Sequence, residues 1–269
     1  MSAGSATIAG MTALRFAFAA LLPLLAACAS VAAPRTNPWD NAQQLVVVTT
    51  ADWDAPTGTL RTFEREGEGW RETTPGFTVN VGRSGAGWGL GLHDARDQDA
   101  GPVKREGDGR APAGVFSIGT AFGYAPELST GLAYKAMQAN DWCIDVPDSP
   151  LYNRIVDRSV AKAPGLDRAS EPMRRDLQAK PDDLYKLGFV IEHNAQATPR
   201  GGSCIFAHVQ RAPGAPTAGC TSMPEDALRG LLAWLRDDAH PAFVLLPDNE
   251  YARLQAAWHL PALDDTVSH

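Results

Sequence analysis

Residues 203–225 have the sequence SCIFAHVQRAPGAPTAGCTSMPE, which combines an apolar strand, a short loop and a cysteine that precedes a helical pattern. The strand ends at His208, and the loop after it contains Pro213 and Pro216 before the chain reaches Cys220. Because a proline ring fixes its own φ, two prolines stiffen so short a connection. We therefore expect this loop to return the chain and to place Cys220 beside the end of the strand that carries His208.

A cysteine in this position has surroundings that suit a nucleophile. Only the thiolate attacks, and a free thiol with a pKa near 8.5 is mostly protonated at neutral pH. A neighbouring imidazole and a helix N-terminus both favour the thiolate. Ser222 and Glu225 have the spacing of a capping box, and leucines recur at helical intervals afterwards, so a helix is predicted over residues 224–237. The sequence thus predicts Cys220 at the threshold of a helix, with a lowered pKa and with His208 as acid and base.

The rest of the chain predicts a mainly β fold with a few packed helices. A second helix is predicted over residues 248–258, and residues 161–183 are polar and interrupted by prolines, which favours a long loop or lid. This segment and the glycine-rich residues 82–91 are candidate walls of a substrate groove. The strand patterns cover residues 44–50, 59–65, 77–81, 115–119, 187–193, 203–208 and 242–246.

The N-terminus has the pattern of a secretory leader. Arg15 precedes the apolar run 16–25, which is too short to span a bilayer, and small residues follow it. We expect residues 1–33 to be a signal peptide and residues 40–262 to form one domain. The tetrapeptide that ends at Cys28 resembles a bacterial lipobox, which predicts lipidation of Cys28; a soluble periplasmic protein cut after Ala33 is the alternative. Both place the protein in the periplasm or cell envelope.

The net charge of the chain argues against nucleic acid as a partner and against adhesion to an anionic membrane. The net charge is −7, and the chain contains no basic block, so nucleic acid is not an expected partner. Membrane association is expected only through the N-terminal lipid anchor.

Cysteine count leaves the disulfide pairing open at this stage. Beyond Cys28 the chain contains Cys143, Cys204 and Cys220, an odd number for an exported protein. If Cys143 pairs with Cys204, then Cys220 stays free to act as a nucleophile. A bond between Cys204 and Cys220 would disable the site.

His193 is a second candidate histidine, since it also ends a predicted strand. Asn194 follows it, an arrangement similar to that of Cys-His-Asn proteases, but we interpret His193 as a residue of the substrate-binding wall. The chain lacks a Cys-x-x-Cys pair and a His-Glu-x-x-His element, so neither a metal nor another cofactor is expected.

Residues 208–222 resemble the active-site signature of the L,D-transpeptidases of the YkuD family, in which a histidine precedes Ser/Thr-x-Gly-Cys. The element GDGRAPAGVF at residues 107–116 is similar to the Gly-Asp-x-x-Thr/Ala-Pro-x-Gly-x-Phe element of that family. The similarity extends from about residue 78 to residue 247. It implies a β-sandwich/barrel catalytic domain of the YkuD type that acts on peptidoglycan stem peptides.

The resemblance also implies a role for individual residues. Cys220 would be the nucleophile and His208 the acid/base residue, while Thr217 and Gly219 would shape the oxyanion site. The spacing from histidine to cysteine is shorter than in the common motif, and residues 221–222 replace the usual aliphatic and Arg/Asn residues. Donor and acceptor preferences are therefore expected to differ from those of the cross-linking enzymes.

Other functions remain open at this stage. Water as acceptor would make the enzyme an L,D-carboxypeptidase, and a cross-link as donor would make it an amidase. A papain-like cysteine hydrolase would need Asn194 or another amide beside His208. A non-catalytic cell-wall binding lipoprotein would have a degenerate site.

Overall fold

The computed structural model describes residues 1–5 and 36–263. The predicted leader, apart from its first five residues, and the predicted lipidation site Cys28 lie outside the described residues. Contacts divide the chain into Met1–Pro34 and Arg35–His269. The second unit contains every strand and helix of the described residues.

Strands dominate the described residues, so the expectation of a mainly β fold is confirmed. The helices in this part of the chain are α1 (Glu225–Trp234) and α2 (Asp248–Leu254), and none of its helices is both long and apolar enough to cross a membrane. The strands are β1 (Gln44–Thr50), β2 (Thr57–Glu66), β3 (Gly69–Asn80), β4 (Ala86–Trp88), β5 (Ala111–Gly123), β6 (Tyr134–Ala136), β7 (Asp141–Cys143), β8 (Ile155–Asp157), β9 (Glu171–Pro172), β10 (Leu187–Ile191), β11 (Phe206–Val209), β12 (Thr221–Met223) and β13 (Ala242–Pro247).

Eight of the strands close into a barrel in the order β1-β2-β3-β12-β11-β10-β5-β13. Most neighbours are antiparallel, but β1 pairs with β13 and β11 with β12 in parallel. Every residue of β1 is buried, as expected for the apolar run QLVVVTT between two neighbouring strands. Helix α1 packs against β10 and β11, and α2 packs against β13 and β1.

The start of α1 differs from the sequence prediction. The helix begins at Glu225, its N-cap residue is Pro224, and no side chain caps it. Ser222 instead lies in β12, where it pairs with His208 on one side and Asn80 on the other. The predicted capping box is therefore wrong, because Ser222 is a buried strand residue that helps to close the barrel.

A second, smaller sheet lies in the segment between β6 and β10. Its strand order is β8-β7-β9, and it covers a small apolar cluster that includes Ile144 and Val146. A disulfide joins Cys143 at the end of β7 to Cys204, which lies two residues before β11. The pairing that leaves Cys220 as a free thiol is thus the one that forms.

Candidate active site

A cavity of about 420 Å³ opens between β11, β12 and the segment that carries the small sheet. The two residues that the sequence singled out, His208 and Cys220, both line it. The predicted lid contributes Ser170, Glu171 and Arg175 to the opposite wall. His208 and Cys220, at β11 and just before β12, thus face charged side chains of residues 170–175 across the cavity.

Parallel pairing of β11 with β12 explains why the histidine and the cysteine meet. Ala207 pairs with Thr221 and His208 with Ser222. Directly paired residues point to the same face of a sheet, and successive residues alternate between faces. His208, Ser222 and Cys220 therefore share one face, with His208 and Cys220 as diagonal neighbours, and that face is the cavity wall.

The ring of His208 is held in one orientation. Its Nδ1 lies 2.8 Å from the carbonyl oxygen of Val209, so Nδ1 carries the proton and donates it to that carbonyl. The rings of Tyr185 and His208 pack edge to face, with their centroids 5.4 Å apart. The remaining nitrogen, Nε2, is then an acceptor in the neutral imidazole. This is the tautomer that a general base toward a thiol requires.

The thiol of Cys220 sits at the buried end of the cavity. The backbone N–H of Phe206 donates to Sγ at 3.3 Å, and the thiol itself faces the carbonyl oxygen of Cys204 at 3.4 Å. No hydrogen bond joins Sγ to His208 among the described residues. The S–H bond must therefore turn from the Cys204 carbonyl toward His208 before the proton can be transferred.

Burial keeps both groups of the pair neutral. Burial is the main reason that the pKa of Cys220 rises to about 12, and the N–H of Phe206 opposes this only in part. Burial also lowers the pKa of His208 to about 4. The predicted lowering of the Cys220 pKa is wrong, because the cysteine is buried and β12 separates it from the start of α1 at Glu225. The resting site contains a thiol and a neutral imidazole.

The loop before Cys220 is organised by the hydroxyl of Thr217. This oxygen accepts a hydrogen bond from the N–H of Gly219 at 3.0 Å and donates one to the carbonyl of Cys220 at 2.6 Å. Gly219 has φ +152°, and a Cβ there would lie 2.8 Å from the carbonyl oxygen of Arg110. The N–H of Gly219 is thus already used inside the loop. The N–H of Cys220 appears in no hydrogen bond between described residues, which leaves it as a donor for an oxyanion.

The three motifs of the sequence converge beside this loop. Backbone hydrogen bonds join Thr217 to Val81 and Arg83 at the start of the glycine-rich segment. A Cβ on Gly82 would lie 2.3 Å from the carbonyl of Gly109, so the glycine allows this segment to lie directly on the Gly-Asp element. Asp108 holds the turn of that element by accepting from Lys104 Nζ at 2.6 Å. Residues 107–116 and 208–222, which lie about 100 residues apart in the sequence, thus meet at one wall of the cavity.

Sequence reasoning missed Glu171, a half-buried carboxylate that also lines the cavity. Glu171 interacts with Tyr185, and burial raises the pKa of the Glu171 carboxyl. Burial, together with the negative charge of Glu171, raises the pKa of Tyr185 well above its usual value. Arg175 pairs with Glu171 at 3.1 Å. All three side chains belong to the segment between β6 and β10, and only the fold brings that segment to the thiol. No local sequence pattern therefore indicates that they belong to the site.

The structure does not bring His193 to the cavity. Its Nδ1 accepts from the N–H of Leu90 at 3.2 Å, and its Nε2 lies 2.9 Å from the carbonyl of Gly201. Both ring nitrogens are therefore engaged in holding two loops together. The amide of Asn194 is likewise used, donating to the carbonyls of Thr198 and Gly202.

Asn153 is another residue whose role only the structure reveals. Its amide nitrogen donates to the carbonyls of His193 and Asn194, and its oxygen accepts from the N–H of Cys204 at 2.9 Å. Cys204 has φ +57°, and its carbonyl is the group that faces the thiol of Cys220. Asn153 thus orients the backbone that faces the thiol of Cys220.

Within the described residues, no group of three or more His, Cys, Asp and Glu side chains is placed to hold a metal ion. Comparisons with known proteins do not add a family or a fold: no family model, no curated protein and no solved structure matches this chain.

Proposed function

We propose that this protein is a peptidoglycan L,D-transpeptidase that works through a thioester on Cys220. The observation that carries the proposal is the pairing, in one cavity, of a free thiol with an imidazole whose Nε2 is left as an acceptor. The resemblance of residues 107–116 and 208–222 to the YkuD signature supplies the substrate class. The YkuD-type barrel is part of the same proposal.

The reaction begins from the neutral pair. Sγ of Cys220 attacks the carbonyl carbon of the third residue of a stem tetrapeptide while its proton passes to Nε2 of His208. The N–H of Cys220 stabilises the oxyanion of the tetrahedral intermediate. When this intermediate collapses, the bond to D-Ala breaks, His208 protonates the departing amine, and a thioester remains. An amine of a second stem or of a protein then attacks the thioester and restores the thiol.

The raised pKa of Cys220 and the lowered pKa of His208 favour a concerted proton transfer. A thiolate formed in advance would be an uncompensated buried charge, since burial raises the pKa of Cys220 to about 12. Transfer to His208 during attack avoids that charge, and the carbonyl of Val209 stabilises the imidazolium that forms.

Intact-mass spectrometry tests the proposal. The folded, reduced protein is incubated with a stem tetrapeptide or with a carbapenem, and a covalent adduct is expected on wild type but not on Cys220→Ala. His208→Gln is expected to slow acylation by about 10²-fold or more, as loss of a general base does. A folded wild-type protein that forms no adduct with either reagent would favour the non-catalytic binding lipoprotein instead.

Product analysis separates the related activities. Muropeptide analysis distinguishes a cross-link or protein anchor from the tripeptide that a carboxypeptidase releases and from the opened cross-link of an amidase. A papain-like hydrolase has less support, because the orienting partner of His208 is a backbone carbonyl and Asn194 is engaged elsewhere. Cleavage of ordinary L,L-peptides by the wild type would instead support the papain-like hydrolase.

Export and lipid anchoring are a further part of the proposal. They rest on the leader pattern and on the lipobox-like sequence that ends at Cys28. Metabolic labelling with a radioactive fatty acid is expected to mark the full chain and to fail for Cys28→Ser. A mature N-terminus at Pro34, without label, would indicate the soluble periplasmic form.

A further inference from the structure

Arg83 stands apart among the basic side chains that line the active-site cavity. Its side chain makes no ion pair with a carboxylate of the described residues, and its one hydrogen bond is a long one, 3.5 Å, to the carbonyl of Gly107. The other basic side chains of the cavity are paired: Lys104 with Asp108, Arg175 with Glu171 and Asp182, and Arg211 with Asp182.

Arg83 is an exposed residue whose guanidinium packs on a neighbouring glycine. It extends across Gly109, where an added Cβ would lie 2.8 Å from Cζ and 2.9 Å from Nε of the guanidinium. Gly109 has φ +74°, a conformation that glycine adopts without strain. The absence of a side chain at Gly109 thus provides the surface on which the guanidinium rests.

Backbone contacts connect Arg83 to the nucleophile loop. The N–H of Arg83 donates to the carbonyl of Thr217 at 2.9 Å. The hydroxyl of Thr217 in turn donates to the carbonyl of Cys220 at 2.6 Å. The backbone of Arg83 is therefore joined to that of Cys220 through Thr217, which fixes the distance between the two segments.

The acidic groups of the same cavity do not compete for Arg83. Glu106 accepts hydrogen bonds from Tyr152 and from Ser203, and Asp145 accepts from Ser170. The guanidinium of Arg83 therefore has N–H groups that no carboxylate of the described residues occupies. A guanidinium suits a carboxylate because its parallel N–H groups match the two oxygens.

We propose that Arg83 is a specificity residue that binds a carboxylate of the acyl donor, an inference that rests on the proposed acyl transfer at Cys220. The ligand class is an anionic peptide. In a stem tetrapeptide the carboxylate is either that of the departing C-terminal residue or one that an internal residue carries. Arg83 makes the site select donors that keep this group ionised over donors in which it is an amide.

Binding to a protein that cannot react tests the inference separately from the function. The full chain with Cys220→Ala is titrated by calorimetry with the stem tetrapeptide, with its C-terminal amide and with a peptide amidated at its internal carboxylate. The same titrations are made with Arg83→Gln, Arg83→Lys and Arg105→Gln added to Cys220→Ala. Arg105 is a matched control, because it is exposed, lies near the cavity and does not line it.

The expected result is about a tenfold loss of affinity for the tetrapeptide with Arg83→Gln, the size of one charge-assisted hydrogen bond, and a smaller loss with Arg83→Lys. Amidation of the carboxylate that Arg83 binds should cause the same loss and make Arg83→Gln silent, so the two amidated peptides identify which carboxylate it is. Arg105→Gln should leave affinity unchanged.

Several results would overturn the inference. They are unchanged affinity with Arg83→Gln, an equal loss with Arg105→Gln, a loss that persists for both amidated peptides, or no measurable binding of the tetrapeptide. A failure of the proposed function has a different signature, since binding would depend on Arg83 while wild type formed no acyl-enzyme.

Discussion

Replacing His208 by glutamine is expected to reduce the dependence of the free energy of unfolding on pH. Burial lowers the pKa of this imidazole from 6.5 to about 4 in the folded protein. Between about pH 6.5 and about pH 4, His208 is therefore protonated in the unfolded chain but neutral in the folded protein. The stability that neutral His208 contributes is complete above about pH 6.5 and is lost as the pH falls toward about 4.

The magnitude follows from these two values. Between about pH 7.5 and about pH 5, one histidine with this shift removes roughly 2 kcal/mol from the free energy of unfolding. Glutamine does not titrate, and its amide can still donate to the carbonyl of Val209. The difference in stability between wild type and His208→Gln should therefore change by roughly that amount, in the direction that favours the variant at low pH.

Urea unfolding, followed by tryptophan fluorescence at several pH values, measures this difference. Cys220→Ala serves as the control, since a thiol with a raised pKa exchanges no protons in this range and its curve should run parallel to that of wild type. Parallel curves for wild type and His208→Gln would refute the reasoning. They would mean that His208 is solvated and charges freely, and that the neutral resting pair does not exist.

Three further predictions concern the same site. On the alkaline side, burial holds the pKa of Cys220 at about 12 rather than 9.0, so stability should fall as the pH rises above about 9, and Cys220→Ala should lessen that fall by roughly 2 kcal/mol at about pH 10.5 in urea unfolding. The bond between Cys143 and Cys204 closes a sequence separation of 61 residues, and replacing both cysteines by serine should lower the free energy of unfolding by about 4 kcal/mol in the same assay. Thr217→Val removes the hydroxyl that joins Gly219 to Cys220 and should slow acylation at least about tenfold by mass spectrometry, whereas Thr217→Ser should retain most of the rate.

Much of the barrel could be predicted because its strands are long and strongly patterned. The run at residues 44–50 forms β1 over the predicted range, and the predicted strand at residues 242–246 forms β13 with one residue more. Such runs are unambiguous, since an apolar stretch of this length bounded by turns satisfies its backbone groups in a sheet.

Short strands could not be predicted from the sequence in the same way. Strand β12 has only three residues, and its pattern Thr-Ser-Met is too short to indicate a strand. A serine three residues before a glutamate is a capping signal in most contexts, but here the pairing of Ser222 with His208 and Asn80 prevails. A tertiary contact outweighed a local preference worth about 1 kcal/mol.

The sequence by itself indicated His208 and Cys220 as the candidate pair, since the loop between them is short and the odd cysteine count leaves a thiol free. Tertiary structure alone decided which cysteines pair. The pairing requires that the end of β7 lie beside the residues before β11, which are distant in the chain. It also decided the protonation of the site. A pKa depends on how much water the surrounding segments exclude, and residues distant in the chain, such as Glu171 and Tyr185, do the excluding here.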